Sequence, residues 1–143
     1  MSRRSLVTVG IPTYNRADTV VQAVESVRRQ QHPDLEILVS DDGSTDDTRA
    51  VLDAIAADYP RVRVLAQGGN VGHARNFQAL LEAATGTYFM WLSDDDWLDP
   101  SYVERCLAVL DANAGHSLVA GLARYYVDGS HDVDERRVRP WTS

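Results

Sequence analysis

The chain has 143 residues, 44% of them apolar and 24% charged, a composition that fits one soluble globular domain spanning 1–143. Its 14 basic residues against 21 acidic ones give a net charge of −7, which excludes a nucleic-acid coat or an anionic-membrane surface, since both need a basic field. Every basic residue is arginine, so a Walker A lysine, a pyridoxal Schiff base and a lysine nucleophile are excluded as well.

Strand-like and helix-like segments alternate from the start. Leu6 to Ile11 is β-rich and is closed by Pro12. A helix is predicted over Thr19 to Gln30, with Thr19 and Gln22 as a capping box and Val20, Val24 and Val27 on one face. Leu35 to Val39 reads as a strand covered on both sides. A second helix is predicted from Ser44 or Thr45, with Asp46 and Asp47 in its first turn and Val51, Leu52, Ile55 and Tyr59 as its stripe. Arg61 to Ala66 alternates polar and apolar residues, the pattern of an edge strand.

After the Gly68-Gly69-Asn70 loop, a third helix is predicted to bury Ala74, Phe77, Leu81 and Ala84 and to stop at Gly86. Tyr88 to Leu92 is a fourth strand. Asp99 and Pro100 then open a helix with Val103, Cys106, Leu107 and Leu110 turned inward. Leu118 to Ala123 is predicted as a fifth strand, and residues 124–143 as a polar hairpin, turning at Asp128-Gly129, or an arginine-rich tail. This order implies an α/β fold with a mostly parallel, Rossmann-like sheet and helices on both faces.

Cys106 is the single cysteine, which excludes a disulfide framework and a zinc cluster. No apolar run approaches the roughly 20 residues of a membrane span, and the chain reads as cytoplasmic.

In open parallel sheets the ligand sits beyond the carboxyl ends of the strands, which directs attention to three segments. The first is Pro12 to Arg16. The second, Asp41-Asp42-Gly43-Ser44-Thr45-Asp46-Asp47, contains a helix start, but Asp41 and Asp42 repel each other before any cap. A carboxylate there can accept a ring N–H from a nucleobase. The third is Ser93-Asp94-Asp95-Asp96, three consecutive aspartates that are not needed for capping, because Asp99 already serves the next helix. Crowded carboxylates call for a cation, and oxygen ligands select a hard one, Mg²⁺ or Mn²⁺. Arg75, at a polar position early in the third helix, can grip a phosphate or stack on a base.

Four motifs in order, VGIPTYNR at 9–16, VSDDGSTDDT at 39–48, NVGHARN at 70–76 and WLSDDDW at 91–97, give the chain a specific resemblance to the nucleotide-binding half of family-2 glycosyltransferases of GT-A fold. The resemblance covers residues 5 to about 112. It implies that Pro12, Thr13 and Tyr14 line a nucleotide pocket and that Asp42 accepts the imide N–H of the base, with Asp41 supporting the turn. Arg75 then lies against the base or the diphosphate. The aspartate run stands for the family's D-x-D element, with Asp95 the main metal ligand, Asp96 a second ligand and Asp94 near the ribose. Ser93 occupies the place of that element's usual first acid, which leaves the register open by one residue.

The implied reaction is inverting, metal-assisted transfer from a nucleoside diphosphate sugar, expected to be a UDP-sugar, to an acceptor that the sequence does not name: a saccharide, a lipid-linked molecule or a small molecule. Only 47 residues follow Asp96, fewer than the family uses for its acceptor half, so the catalytic base is expected outside this chain. Asp128, Asp132 and Asp134 are weak candidates for it within the chain. The alternative is a non-catalytic nucleotide-sugar-binding or interaction module. A nucleotidyltransferase is disfavoured, since its glycine- and lysine-bearing signature is absent. For a two-metal phosphoesterase the histidines and carboxylates are not suitably arranged.

Overall fold

Alternating apolar runs and amphipathic stretches produce four strands and four helices in the computed structural model, which describes residues 5–121. The strands are β1 (Val7–Thr13), β2 (Leu35–Asp41), β3 (Val62–Ala66) and β4 (Tyr88–Trp91). The helices are α1 (Val20–Arg28), α2 (Thr48–Asp58), α3 (His73–Ala83) and α4 (Tyr102–Ala112). All strand pairs are parallel and lie in the order β3-β2-β1-β4. Residues up to Val103 form one compact unit, and those from Glu104 belong to a second.

Within the first unit the pleat divides the strands between two covered faces. Val9, Ile11, Ile37 and Val39 point toward α1 and α2 and join Val20, Ala23, Val24, Val27 and Leu52 in the core. The opposite face carries Gly10 and Ser40 and receives α3 through Leu80 and Asn76. Strands buried on both sides explain the near-continuous apolar runs of β1 and β2. The sheet grows from β1 through β2 to β3, then reverses so that β4 lies on the far side of β1. That reversal makes the β1/β4 junction the topological switch point, the place beyond the strand ends where open parallel sheets bind ligands.

Several predicted boundaries move, each for a physical reason. β1 runs on through Pro12 to Thr13. Gly10 C=O accepts from Leu92 on the β4 side and Thr13 C=O accepts from Asp42 on the β2 side. By alternation the missing N–H of Pro12 faces the β4 side, beyond the end of that strand at Trp91. The capping box at Thr19 does not form: Thr19 is itself in a helical conformation, and its buried hydroxyl has no hydrogen-bond partner.

α2 starts at Thr48, not at Ser44, because Asp46 accepts the Thr48 N–H and hydroxyl and holds residues 44–47 as a turn. α4 likewise starts at Tyr102, since Asp99 binds Ser101 N–H and Oγ in a lead-in turn.

α3 buries Asn76 and Leu80, whereas Leu81 is 49% exposed. A polar residue fills a sheet-facing slot and displaces the apparent apolar stripe by one position. The helix ends at Ala83 with Ala84 extended, so Gly86 is not its cap. Gly86 serves a close approach instead, for a Cβ there would stand 2.7 Å from Thr8 N. The fifth strand is absent over the described part of its range. Residues 118–121 pair with no strand among the described residues, and Leu118 is 82% exposed. An apolar run becomes a strand only when a neighbour takes its backbone groups. In the second unit α4 ends in a turn, with Asn113 Nδ2 donating to Val109 O and His116 N–H to Asn113 O. The predicted hairpin at Asp128-Gly129 lies outside the described residues.

Candidate nucleotide-sugar site

The loops that follow β1 and β2 are fastened together by short polar side chains. Asp41 ends β2, is buried, and accepts both the N–H and the Oγ–H of Ser44, which closes the turn after Gly43. Ser44 Oγ in turn accepts the Asn15 N–H at 2.9 Å. Asn15 has φ 53°, a left-handed conformation that asparagine tolerates, and its Oδ1 accepts the Thr45 N–H at 2.8 Å. The Arg16 N–H donates to Thr48 Oγ1. The β1 loop is therefore held in place by the start of α2.

Asp42 reaches the other way. Its buried carboxylate accepts Val71 N–H at 2.6 Å and Gly72 N–H at 3.2 Å, tying the Gly-rich loop before α3 to the end of β2. Gly43 is pressed against that loop, where a Cβ would lie 2.7 Å from Gly69 C. Each Asp42 oxygen retains a second lone pair, so acceptance of one more N–H stays open.

At the switch point, Arg16 Nε lies 3.9 Å from Asp94 Oδ1, with the Asp94 side chain only 14% exposed. Burial pushes the Asp94 carboxyl above the usual range and the Asp95 charge adds to this, against the Thr13 hydroxyl, the Arg16 guanidinium and the Tyr14 backbone. Thr13 Oγ1 is nevertheless buried without a hydrogen bond of its own. The Asp96 carboxyl is also raised, by burial first and then by Asp95 and Asp94. Asp95 is exposed and accepts the Ser93 hydroxyl at 2.6 Å.

Of the nucleotide-pocket candidates, Pro12 and Thr13 are buried strand residues, while Tyr14 is 44% exposed. Arg75 is exposed in the first turn of α3 and forms no ion pair among the described residues. Asp128, Asp132 and Asp134 lie outside the described residues. Reasoning from residue types missed Asn15, Arg16, Ser44 and Asn76. All four stand inside the motifs, yet their roles depend on partners 29 to 78 positions away.

The chain has relatives among known proteins. The model of the family described as "Glycosyl transferase family 2" matches residues 8–142. The chain belongs to that family. It is 42% identical to a chondroitin synthase of Escherichia coli over 108 residues, which cover 75% of this chain and 16% of that protein. Among solved structures it is similar to a mannosyltransferase from Pyrobaculum calidifontis in complex with GDP-Man and Mn²⁺, with a TM-score of 0.69 and 26% identity over 76% of this chain and 33% of the other. It shares its fold with TarS 1-349 of S. aureus in complex with UDP, at a TM-score of 0.70 and 23% identity over the same shares. The chain thus spans only a sixth to a third of the length of these proteins.

Proposed function

We propose that this chain forms the donor-binding part of a glycosyltransferase, holding a nucleoside diphosphate sugar, preferably a UDP-sugar, beyond the carboxyl ends of β1, β2 and β4. The observation that carries the proposal is the meeting of Arg16 and the desolvated Asp94 at the β1/β4 switch point, next to a second raised carboxyl at Asp96. Tyr14 packs on the base, and Asp42 accepts its ring N–H. Pro12, Thr13 and the Asp41 turn shape the pocket floor. Asp94 faces the ribose, and Arg75 neutralises part of the diphosphate.

The carboxylates at 94–96 are hard oxygen donors, and two of them are held in a state that nearby positive charge would relieve. No group of three or more metal-binding side chains converges among the described residues. That donor set fits an ion that keeps most of its coordination for water and diphosphate, Mg²⁺ or Mn²⁺, and not a closed protein cage. Asp95 and Asp96 would hold it. Such an ion supplies charge stabilisation to the departing nucleoside diphosphate. The chain's own residues orient the donor so that an acceptor hydroxyl can attack the anomeric carbon in line with the breaking bond to the diphosphate, inverting the configuration. The base that takes the hydroxyl proton is assigned to a part of the enzyme outside residues 5–121.

Calorimetric titration of UDP and GDP, with and without Mn²⁺, tests this reading on the wild-type chain and on Asp95→Ala. Metal-dependent UDP binding that the substitution abolishes, with the fold intact, is the expected result. A folded wild-type sample that binds neither nucleotide under either condition overturns the reading.

A further inference from the structure

Asn76 is an amide in a place made for a hydrocarbon. It lies on the face of α3 that packs against β1 and β2, beside Leu80, and is 3% exposed. Its Nδ2 donates to the backbone carbonyl of Ser40 at 3.0 Å, while its Oδ1 is buried with no hydrogen-bond partner. A half-satisfied buried amide costs stability, and a leucine, branched alike though larger, would leave no unpaired oxygen there. The benefit must therefore lie in what the remaining hydrogen bond holds.

Ser40 directly precedes the Asp41-Asp42 pair. Asp42 grips the N–H groups of Val71 and Gly72, and Gly72 C=O accepts the Asn76 N–H at 3.0 Å. These bonds close a ring: Ser40, through the chain to Asp42, across to Gly72, along the first turn of α3 to Asn76, and back to Ser40. Gln67 Nε2 adds a bond to the Ser40 hydroxyl on the same strand. Arg75 sits inside this ring, one residue before Asn76 and on the exposed side of the helix. A slip of α3 by one residue would turn it by about 100° and carry Arg75 out of register with Asp42.

We propose that Asn76 is a positioning residue: through Ser40 it fixes the register of α3 against β2, and so sets both the 71–72 backbone and the Arg75 side chain for the nucleotide. Its effect on ligand affinity rests on the donor-binding reading above, whereas its effect on the loop does not.

The decisive variant is Asn76→Leu, with Asn76→Ala in reserve should leucine prevent folding. Amide hydrogen exchange, melting temperature and UDP affinity in Mn²⁺ are measured on the whole chain, alone and combined with Arg75→Ala. The folded variant is expected to melt close to the wild type. Its Val71 and Gly72 amides should exchange about tenfold faster, with β1 amides unchanged. UDP should bind about five- to tenfold more weakly, and Arg75→Ala should add less than its own separate effect. Unchanged protection at residues 71–72 in a folded variant overturns the proposal. A wild-type chain that fails to bind UDP removes the donor reading instead, and the exchange result still decides the role of Asn76.

Discussion

Asn15 Oδ1 accepts the backbone N–H of Thr45 at 2.8 Å, joining the turns after β1 and β2 across 30 residues of chain. The same residue donates its own N–H to Ser44 Oγ and adopts φ 53°. Asn15→Ala removes the acceptor and leaves a β-carbon in a left-handed conformation, so it should destabilise the domain by about 1–2 kcal/mol. Asn15→Gly relieves the backbone but not the lost acceptor, and should fall between alanine and wild type. Urea denaturation measures both. Stability of Asn15→Ala equal to wild type would show that the interlock carries no weight.

Asp42→Ala should weaken uridine and UDP binding by similar factors, because the contact assigned to it is with the base. Comparing the two affinities by calorimetry provides the check. A loss confined to UDP would assign Asp42 to the phosphate side, or to the 71–72 loop that it also holds.

Gly43 has φ +75°, and a Cβ there would meet Gly69 C at 2.7 Å and Asn70 N at 2.8 Å, both backbone atoms without freedom to swing away. Gly43→Ala should therefore cost about 2–4 kcal/mol from strain and overlap together. Thermal denaturation reads the loss. A cost near that of an ordinary surface substitution would contradict the packing of the two loops.

The polar end of the sheet makes a pH prediction. Burial tends to raise the Glu36 carboxyl, but the Thr8 hydroxyl, Thr85 and Arg63 outweigh it and hold the pKa below the ordinary 4.5. A depressed pKa means that the unfolded chain binds the proton more readily. The stabilisation is complete above pH 4.5 and is lost as pH falls through the lower, folded value. Glu36→Gln should thus destabilise the domain at neutral pH and lessen its loss of stability in acid. Chemical denaturation across pH 3–7, an interval chosen to bracket that window, follows both effects. A parallel loss at every pH would assign the effect to packing alone.

Asp96→Asn should raise the melting temperature in metal-free buffer at pH 7, because its carboxyl is raised by burial and by its two acidic neighbours. In the presence of Mn²⁺ the gain should shrink or reverse. A lower melting temperature without metal would show that the charge at Asp96 is satisfied within the protein.

The layered fold was legible because hydrophobic patterning is a local signal. The apolar faces of α1 and α2 and the runs of β1, β2 and β4 follow directly from the periodicity of Val20, Val24, Val27 and Leu52 and the continuity of Leu35–Val39. The acidic loops stand out in the sequence because Asp41-Asp42 and Asp94-Asp95-Asp96 crowd charge where apolar strands end. What the sequence does not show is that Asp41 and Asp42 spend that charge on Ser44, Val71 and Gly72. What remained hidden depends on residues distant in sequence. The face of α3 was misplaced because Asn76, buried against Ser40, looks like a surface residue until its partner is known. Leu118 was mistaken for a strand residue because its composition fits, but no strand among the described residues pairs with that segment. Arg16 became informative only when the β1/β4 junction brought Asp94 beside it.

The central place of β1 also has a temporal consequence. Its neighbour β2, and β3 beyond that, are complete by Ala66, so three strands and the turns that interlock Asn15 with Thr45 can assemble early on the ribosome. The fourth strand joins on the other side of β1 and cannot dock before Trp91 has emerged, at the far end of a much longer chain closure. Arg16 must therefore wait, already positioned by Thr48, for an acidic partner that is synthesised 78 residues later. A nascent chain halted before that point would have the turns after β1 and β2 interlocked but would lack the carboxylates at 94–96.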